Sequence, residues 1–206
     1  KIKINSFDVD VITTSRKVLY KVLLKKYTSY GGEILFDHKL SNLCINNSEL
    51  HFSNNTTYKV QHIAACDGIN SLCRNQVFSS GNPIYSGYSV WRSIVNKTQE
   101  NIETLLGPNY HIVTYPISSS KVSFVAAIKT SKEYIESWKM PGTLEELKAD
   151  IPRSADEFLS FLDERSILYK WGVYTRPSVN KLCFGNLTLL GDAAHPIVPF
   201  IGQGGC

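Results

Sequence analysis

The stretch LLGDAAHPIVPFIGQGGC (189–206) breaks an apolar strand on a Gly-Asp pair. The preceding residues, LTLL, read as a short buried strand, so Asp192 stands at a strand exit. A carboxylate there is costly unless donors reach it. It can cap a helix begun by Ala193 and Ala194, or it can accept from the hydroxyls of a sugar-like ligand, because a carboxylate accepts and does not donate. Pro196 and Pro199 stiffen the run that follows. Gly202, Gly204 and Gly205, with Gln203 among them, form either a plain turn or a backbone surface against which a flat ring could lie. His195 is the acid–base candidate by residue type, and equally a packed polar residue. With Pro199 it is the weak catalytic candidate of this sequence.

A second strand exit lies upstream, in HIAACDGINSLCR (62–74). Asp67-Gly68 follows a buried strand, with Asn70-Ser71 next and Arg74 one helical turn further on. The pattern reads as a polar cradle for a pyrophosphate or a nicotinamide phosphate, with Arg74 offering fork donors. The alternative is a turn and a capped helix with a solvated Arg74.

Around these two points the chain alternates strands and helices. Residues 2–12 read as a strand. Residues 16–29 form a helix with Leu19, Val22, Leu23 and Tyr27 on one face, capped by Thr14 or Ser15 and ended by Gly31-Gly32. Arg16 opens that helix, where the helix dipole disfavours a cation, so a role beyond local energetics is expected of it. EILFDHKLSNLCI suggests two short strands, and ELHFS–TTYKV a hairpin across Asn54-Asn55. Strands are expected at 84–95, 110–117, 121–129 and 167–176, and helices at 143–150 and 154–165. Trp91, Arg92, Tyr115 and Tyr88 fall in the resulting sheet, as pocket walls or as ordinary core. The fold class is therefore mixed α/β, with a mainly antiparallel sheet inserted between two α/β parts. The expected domains are 1–80, 81–178 and a return at 179–206.

Composition narrows the function. The 206 residues are 43% hydrophobic and 19% charged, as in globular chains. A net charge of +4, with the basic cluster Lys17, Lys21, Lys25 and Lys26 on one helix, gives no nucleic-acid footprint. Five widely spaced cysteines without a C-x-x-C argue against a disulfide framework and against a zinc site. No apolar run reaches the length of a membrane span, and the expected compartment is cytoplasmic.

ACDGINSLCR (65–74) and LLGDAAHPIVPFIGQGGC (189–206) together resemble the FAD-dependent aromatic hydroxylases, the class A flavoprotein monooxygenases of the salicylate and hydroxybenzoate hydroxylase type. SRKVLYKVL, YSGYSVWRS, TYPI and WGVYTRP support the resemblance in the same order along the chain. It implies a partial Rossmann-like FAD-binding domain and an inserted substrate sheet. It implies FAD as cofactor, NADH or NADPH as donor, and a small aromatic, phenolic substrate hydroxylated through a flavin C4a-hydroperoxide. It places Arg16, Asp67, Gly68, Arg74, Gly191, Asp192, Pro199, Gly202, Gln203, Gly204 and Gly205 around the cofactor. Two departures stand out. Ala65-Cys66 precedes Asp-Gly where Gly-Ala is more usual, adding a Cβ at a site of close approach. No G-x-G-x-x-G turn is present, and the helix after the last glycines is absent. The expectation is an internal fragment of such an enzyme, with the remainder of the enzyme as a candidate partner. The alternatives are a ligand- or partner-binding module without catalysis, and an epoxidase on the same scaffold.

Overall fold

Ser15 starts the first helix because its hydroxyl accepts from the Val18 N–H at 3.3 Å. Helix α1 (Arg16–Ser29) ends where the Gly31 and Gly32 N–H groups return to the carbonyls of Thr28 and Tyr27. The computed structural model describes residues 12–78, 81–135, 139–160 and 162–200. The expected strand at 2–12 lies almost wholly outside them. In chain order the other elements are β1 (Leu40–Cys44), β2 (Glu49–Phe52), β3 (Thr57–Lys59), β4 (Ile63–Ala65), α2 (Leu72–Val77), β5 (Ile84–Asn96), β6 (Glu103–Gly107), β7 (Tyr110–Ser118) and β8 (Lys121–Lys129). They continue with β9 (Pro141–Gly142), α3 (Leu144–Asp150), α4 (Asp156–Leu159), β10 (Leu168–Thr175), β11 (Cys183–Phe184) and β12 (Leu187–Leu189). The fold is mixed α/β, with a Rossmann-like region and an inserted, mainly antiparallel sheet.

The chain divides into two units, Lys1–Gly32 with Gly87–Val173, and Glu33–Ser86 with Tyr174–Cys206. The first is built on a six-stranded sheet in the order β6-β7-β8-β5-β10-β9. Antiparallel pairing sets Trp91 opposite Ala126 and Ala126 opposite Ile112, so these three share a face. That face carries Val95, Val122, Phe124, Ile128 and Leu168 as well, and α3 and α4 cover it with Leu147, Phe158 and Leu159. A capping box holds α3 in place, with Thr143 and Glu146 satisfying each other's backbone N–H. Lys170 reaches the same layer and pairs with Glu146 at 2.7 Å. That hydrogen bond, joined by the one from the Thr143 N–H, holds the Glu146 carboxyl below the usual carboxylate range.

The second unit has two small sheets, β1-β2-β3 and β11-β12-β4. Strands β4 and β12 are parallel, with Ala65 opposite Leu189. Leu187 and Leu189 are fully buried and pack with Ile63, Ala65, Leu43 and Cys73. Burial, followed by the neighbouring Asp67 carboxylate, pushes the Cys73 thiol up to about 12, so it remains an inert thiol at neutral pH.

Three expectations change. Residues 33–39 hold no strand, because Phe36 and Asp37 form a turn with Asp37 at φ 58°. The helix expected over 154–165 shrinks to α4 after a short 3₁₀ turn, since Ser160 bonds back to the Glu157 carbonyl and Asp163–Ser166 closes a turn of its own. The apolar stripe of α1 is present, yet no residue of that helix is buried among the described residues.

Candidate functional site

Parallel pairing of β4 with β12 brings the two Gly-Asp points together. The Leu190 N–H donates to the Ala65 carbonyl at 2.9 Å, extending the ladder to the last residue before Gly191. Cys66-Asp67-Gly68 and Leu190-Gly191-Asp192 therefore leave the carboxyl ends of neighbouring parallel strands. In open α/β sheets this is where ligands bind. Gly68 (φ +77°) and Gly191 (φ +56°) adopt left-handed backbone conformations, and no heavy atom lies within 4 Å of where a Cβ would stand on either. Both strand exits thus present open backbone, the shape a pyrophosphate or ribityl chain needs for close approach.

The two carboxylates differ. Asp67 Oδ1 accepts from the Ser71 hydroxyl at 2.6 Å and Oδ2 from the Cys73 N–H at 3.1 Å. It organises the start of α2, with Ser71 as cap. Asp192 is exposed, and its carboxylate makes no hydrogen bond or ion pair among the described residues. It lies within the short 3₁₀ turn Gly191–Ala193 and caps nothing. The capping reading of Asp192 is not realised, since this turn has no side-chain cap hydrogen bond.

Arg74 is fully buried. Its Nη1 donates to the carbonyls of Ala193 at 3.2 Å and Ala194 at 3.0 Å, and its Nη2 to the Pro177 carbonyl. Its guanidinium therefore fastens the Gly191–Ala194 turn from below. Arg176 does the same for the other loop, donating to the Ile69 carbonyl at 3.0 Å, to Asn75 Oδ1 and to the Gly81 carbonyl. Burial, and then the charge of Arg176, lower the Arg74 pKa. For Arg176 burial also lowers it, against the opposing pull of Asp67. His195 and Pro199 are exposed, and the His195 N–H closes the turn onto the Gly191 carbonyl at 3.0 Å. Gly202, Gln203, Gly204 and Gly205 lie outside the described residues.

The first unit contains a cavity of about 900 Å³. Arg16 lines it from the first turn of α1, and the Thr13 hydroxyl anchors the approach to that helix by donating to the Pro116 carbonyl of β7 at 2.6 Å. Arg92 and Ile94 of β5, Tyr169 and Trp171 of β10, and Asp163 and Arg165 complete its working surface. Alternation puts Leu168 and Lys170 under the helices, and Tyr169 and Trp171 on the opposite sheet face.

Residues 10–205 match the FAD binding domain family. This chain belongs to the FAD-dependent aromatic hydroxylases, the class A flavoprotein monooxygenases. It is similar to the 3-amino-4-hydroxybenzoate 2-monooxygenase PtnB3 of Streptomyces platensis, 30% identical over 75% of this chain and 41% of that protein. It is 28% identical to the 3-hydroxybenzoate 6-hydroxylase of Polaromonas naphthalenivorans (strain CJ2), over 70% of this chain and 38% of the relative. Its fold matches that of Klebsiella pneumoniae HpxO complexed with FAD and uric acid, with a TM-score of 0.72 at 20% identity over 93% of this chain and 51% of that one. The chain spans about two fifths of the length of these curated relatives.

In this class A hydroxylase chain, sequence reasoning had assigned Arg74 to the ligand side, whereas its donors are turned to the protein. It had overlooked Arg176, Arg165 and Tyr169. The strand period could have separated Trp91 from Arg92: Trp91 belongs to the helix-covered core, and Arg92 lies on the face with the cavity. The same period pairs His111 with the open face, where burial lowers its pKa. Among the described residues no group of three or more His, Cys, Asp or Glu could hold a metal, and no helix is long and apolar enough to cross a membrane.

Proposed function

We propose that this chain supplies the Gly-Asp half of the flavin site and the substrate sheet of an FAD-dependent, NAD(P)H-using monooxygenase that hydroxylates an aromatic, phenolic ring. The exposed Asp192 carboxylate, without a partner among the described residues at an open strand exit, carries the reading. In it, Asp192 accepts from flavin-chain hydroxyls, and the Gly68 and Gly191 backbones allow close approach. Arg74 and Arg176 are positioning residues that hold the two loops at the correct spacing. Pro199 borders the cofactor. FAD, once bound and reduced by the nicotinamide donor, supplies the oxygen-activating chemistry. The sheet and its cavity orient the substrate ring and exclude water.

Asp192→Ala tests this reading. A carboxylate accepting from ligand hydroxyls is worth about 1.5–3 kcal/mol, so the variant should bind FAD about 10- to 100-fold more weakly by flavin-fluorescence titration, with an unchanged circular dichroism spectrum. Equal FAD affinity in variant and parent would remove Asp192 from the site.

A further inference from the structure

The β11-β12-β4 sheet carries a second group of reactive side chains on its outer face. Leu187 and Leu189 are fully buried, so alternation turns Thr188 between them outward. Thr188 stands opposite Cys183 of β11 in antiparallel register and opposite Ala64 of β4 in parallel register. His62 lies two residues before Ala64 and so shares that face. Neighbouring strands thus bring a thiol, a hydroxyl and an imidazole together. The Thr188 hydroxyl lies 3.5 Å from Cys183 Sγ and 3.1 Å from His62 Nε2. Among the described residues these three side chains make no other hydrogen bond or ion pair, so nothing competes for the hydroxyl between them. Cys183 and His62 are exposed, and a small solute reaches the sulfur. Cys66 is exposed too, but its thiol has no hydrogen-bond partner among the described residues, while Cys73 is buried and Cys44 half-buried. Of the described cysteines, only Cys183 combines access with a base in reach, the arrangement that activates a nucleophile.

We propose that Cys183 is a peroxide-reactive thiol, with Thr188 as proton relay and His62 as the base that receives the proton. In the neutral imidazole protonated at Nδ1, Nε2 accepts from the Thr188 hydroxyl, and Thr188 Oγ1 accepts from the Cys183 S–H. The thiol proton moves to Thr188 as the Thr188 proton moves to His62. The resulting thiolate, the nucleophilic form of cysteine, accepts from the Thr188 hydroxyl and stands near the imidazolium. It attacks one oxygen of hydrogen peroxide. The S–O bond forms as the O–O bond breaks, and the leaving hydroxide takes the proton from His62 to become water. The sulfur gives an electron pair to the peroxide, and the product is the sulfenic acid of Cys183. No flavin takes part, so the proposal stands independently of the hydroxylase reading.

The test exposes the chain, without flavin, to hydrogen peroxide and traps sulfenic acid with dimedone, reading each cysteine by peptide mass spectrometry. Cys183 should be trapped at least about tenfold faster than Cys66, a modest share of what a positioned base supplies because the groups are solvated. Thr188→Val keeps the shape and loses the relay. His62→Gln keeps a polar side chain and loses the base. Each variant should bring the Cys183 rate down to that of Cys66. Circular dichroism checks the fold of both, and the exposed His62 decides the matter if Thr188→Val does not fold. Equal rates at Cys183 and Cys66 in the parent, or an unchanged Cys183 rate in either folded variant, would overturn the proposal.

Discussion

Arg74→Met should lower the stability of the chain by about 3 kcal/mol or more, seen as a lower urea midpoint. The side chain has no exposed surface, so solvent cannot take over its role. Methionine fills similar space and brings no donor. The buried carbonyls of Ala193 and Ala194 then lose the partner they now share, and the part-buried Pro177 carbonyl loses its own. Each unsatisfied buried acceptor costs about 1–3 kcal/mol, partly relieved as the turn relaxes. The relaxation is itself informative, because it moves Gly191 and Asp192. FAD affinity should therefore fall in Arg74→Met although the side chain never faces the ligand side. Arg74→Lys should recover part of the stability, since one ammonium reaches some of these carbonyls but cannot span all three. An unchanged urea midpoint in Arg74→Met would show that the guanidinium does not fasten the turn.

Trp91→Ala should be comparably severe in the first unit, at about 3–5 kcal/mol, with a drop in Tm on the order of 10 °C. Trp91 is fully buried at the centre of the helix-covered face. Gly142 of β9 faces its ring so closely that a Cβ there would stand 2.3 Å from it, so the glycine leaves room for the indole and has nothing to fill the space once it is gone. The Lys170 ammonium, 5.1 Å from the ring centroid, would lose one of its two π partners, keeping Tyr134 at 4.9 Å, while remaining buried beside Glu146. Scanning calorimetry checks this, and a shift of only a degree or two would mean that the layer closes over the gap.

Local rules carried much of this fold. The β7–β8 hairpin follows from alternation in YHIVTYPI and KVSFVAAIK, and the structure pairs Tyr110 with Ile128 through Ser118 with Lys121. Helix α1 follows from its cap and its glycine stop. The strand exits at Asp67 and Asp192 follow from apolar runs broken by Gly-Asp and Asp-Gly. The short elements β6, β9 and β11 escaped, since runs of two to five residues owe their pairing to distant neighbours and carry little period of their own. The same holds for the site. That Asp192 stands at a strand exit is local information. That Arg74 faces inward is not, because its acceptors lie 103, 119 and 120 residues away in sequence. The open-face position of Arg92 could have been read from the strand period, but its lack of a partner among the described residues required every neighbouring strand to be in place.

The central claim is that the ends of β4 and β12 together hold a flavin. Amide hydrogen exchange of the chain with and without saturating FAD measures this most directly. The account predicts that FAD slows exchange at Cys66–Arg74 and Leu190–His195, and that both effects weaken in Asp192→Ala. Exchange unchanged in both segments, or protection confined to other parts of the chain, would contradict it.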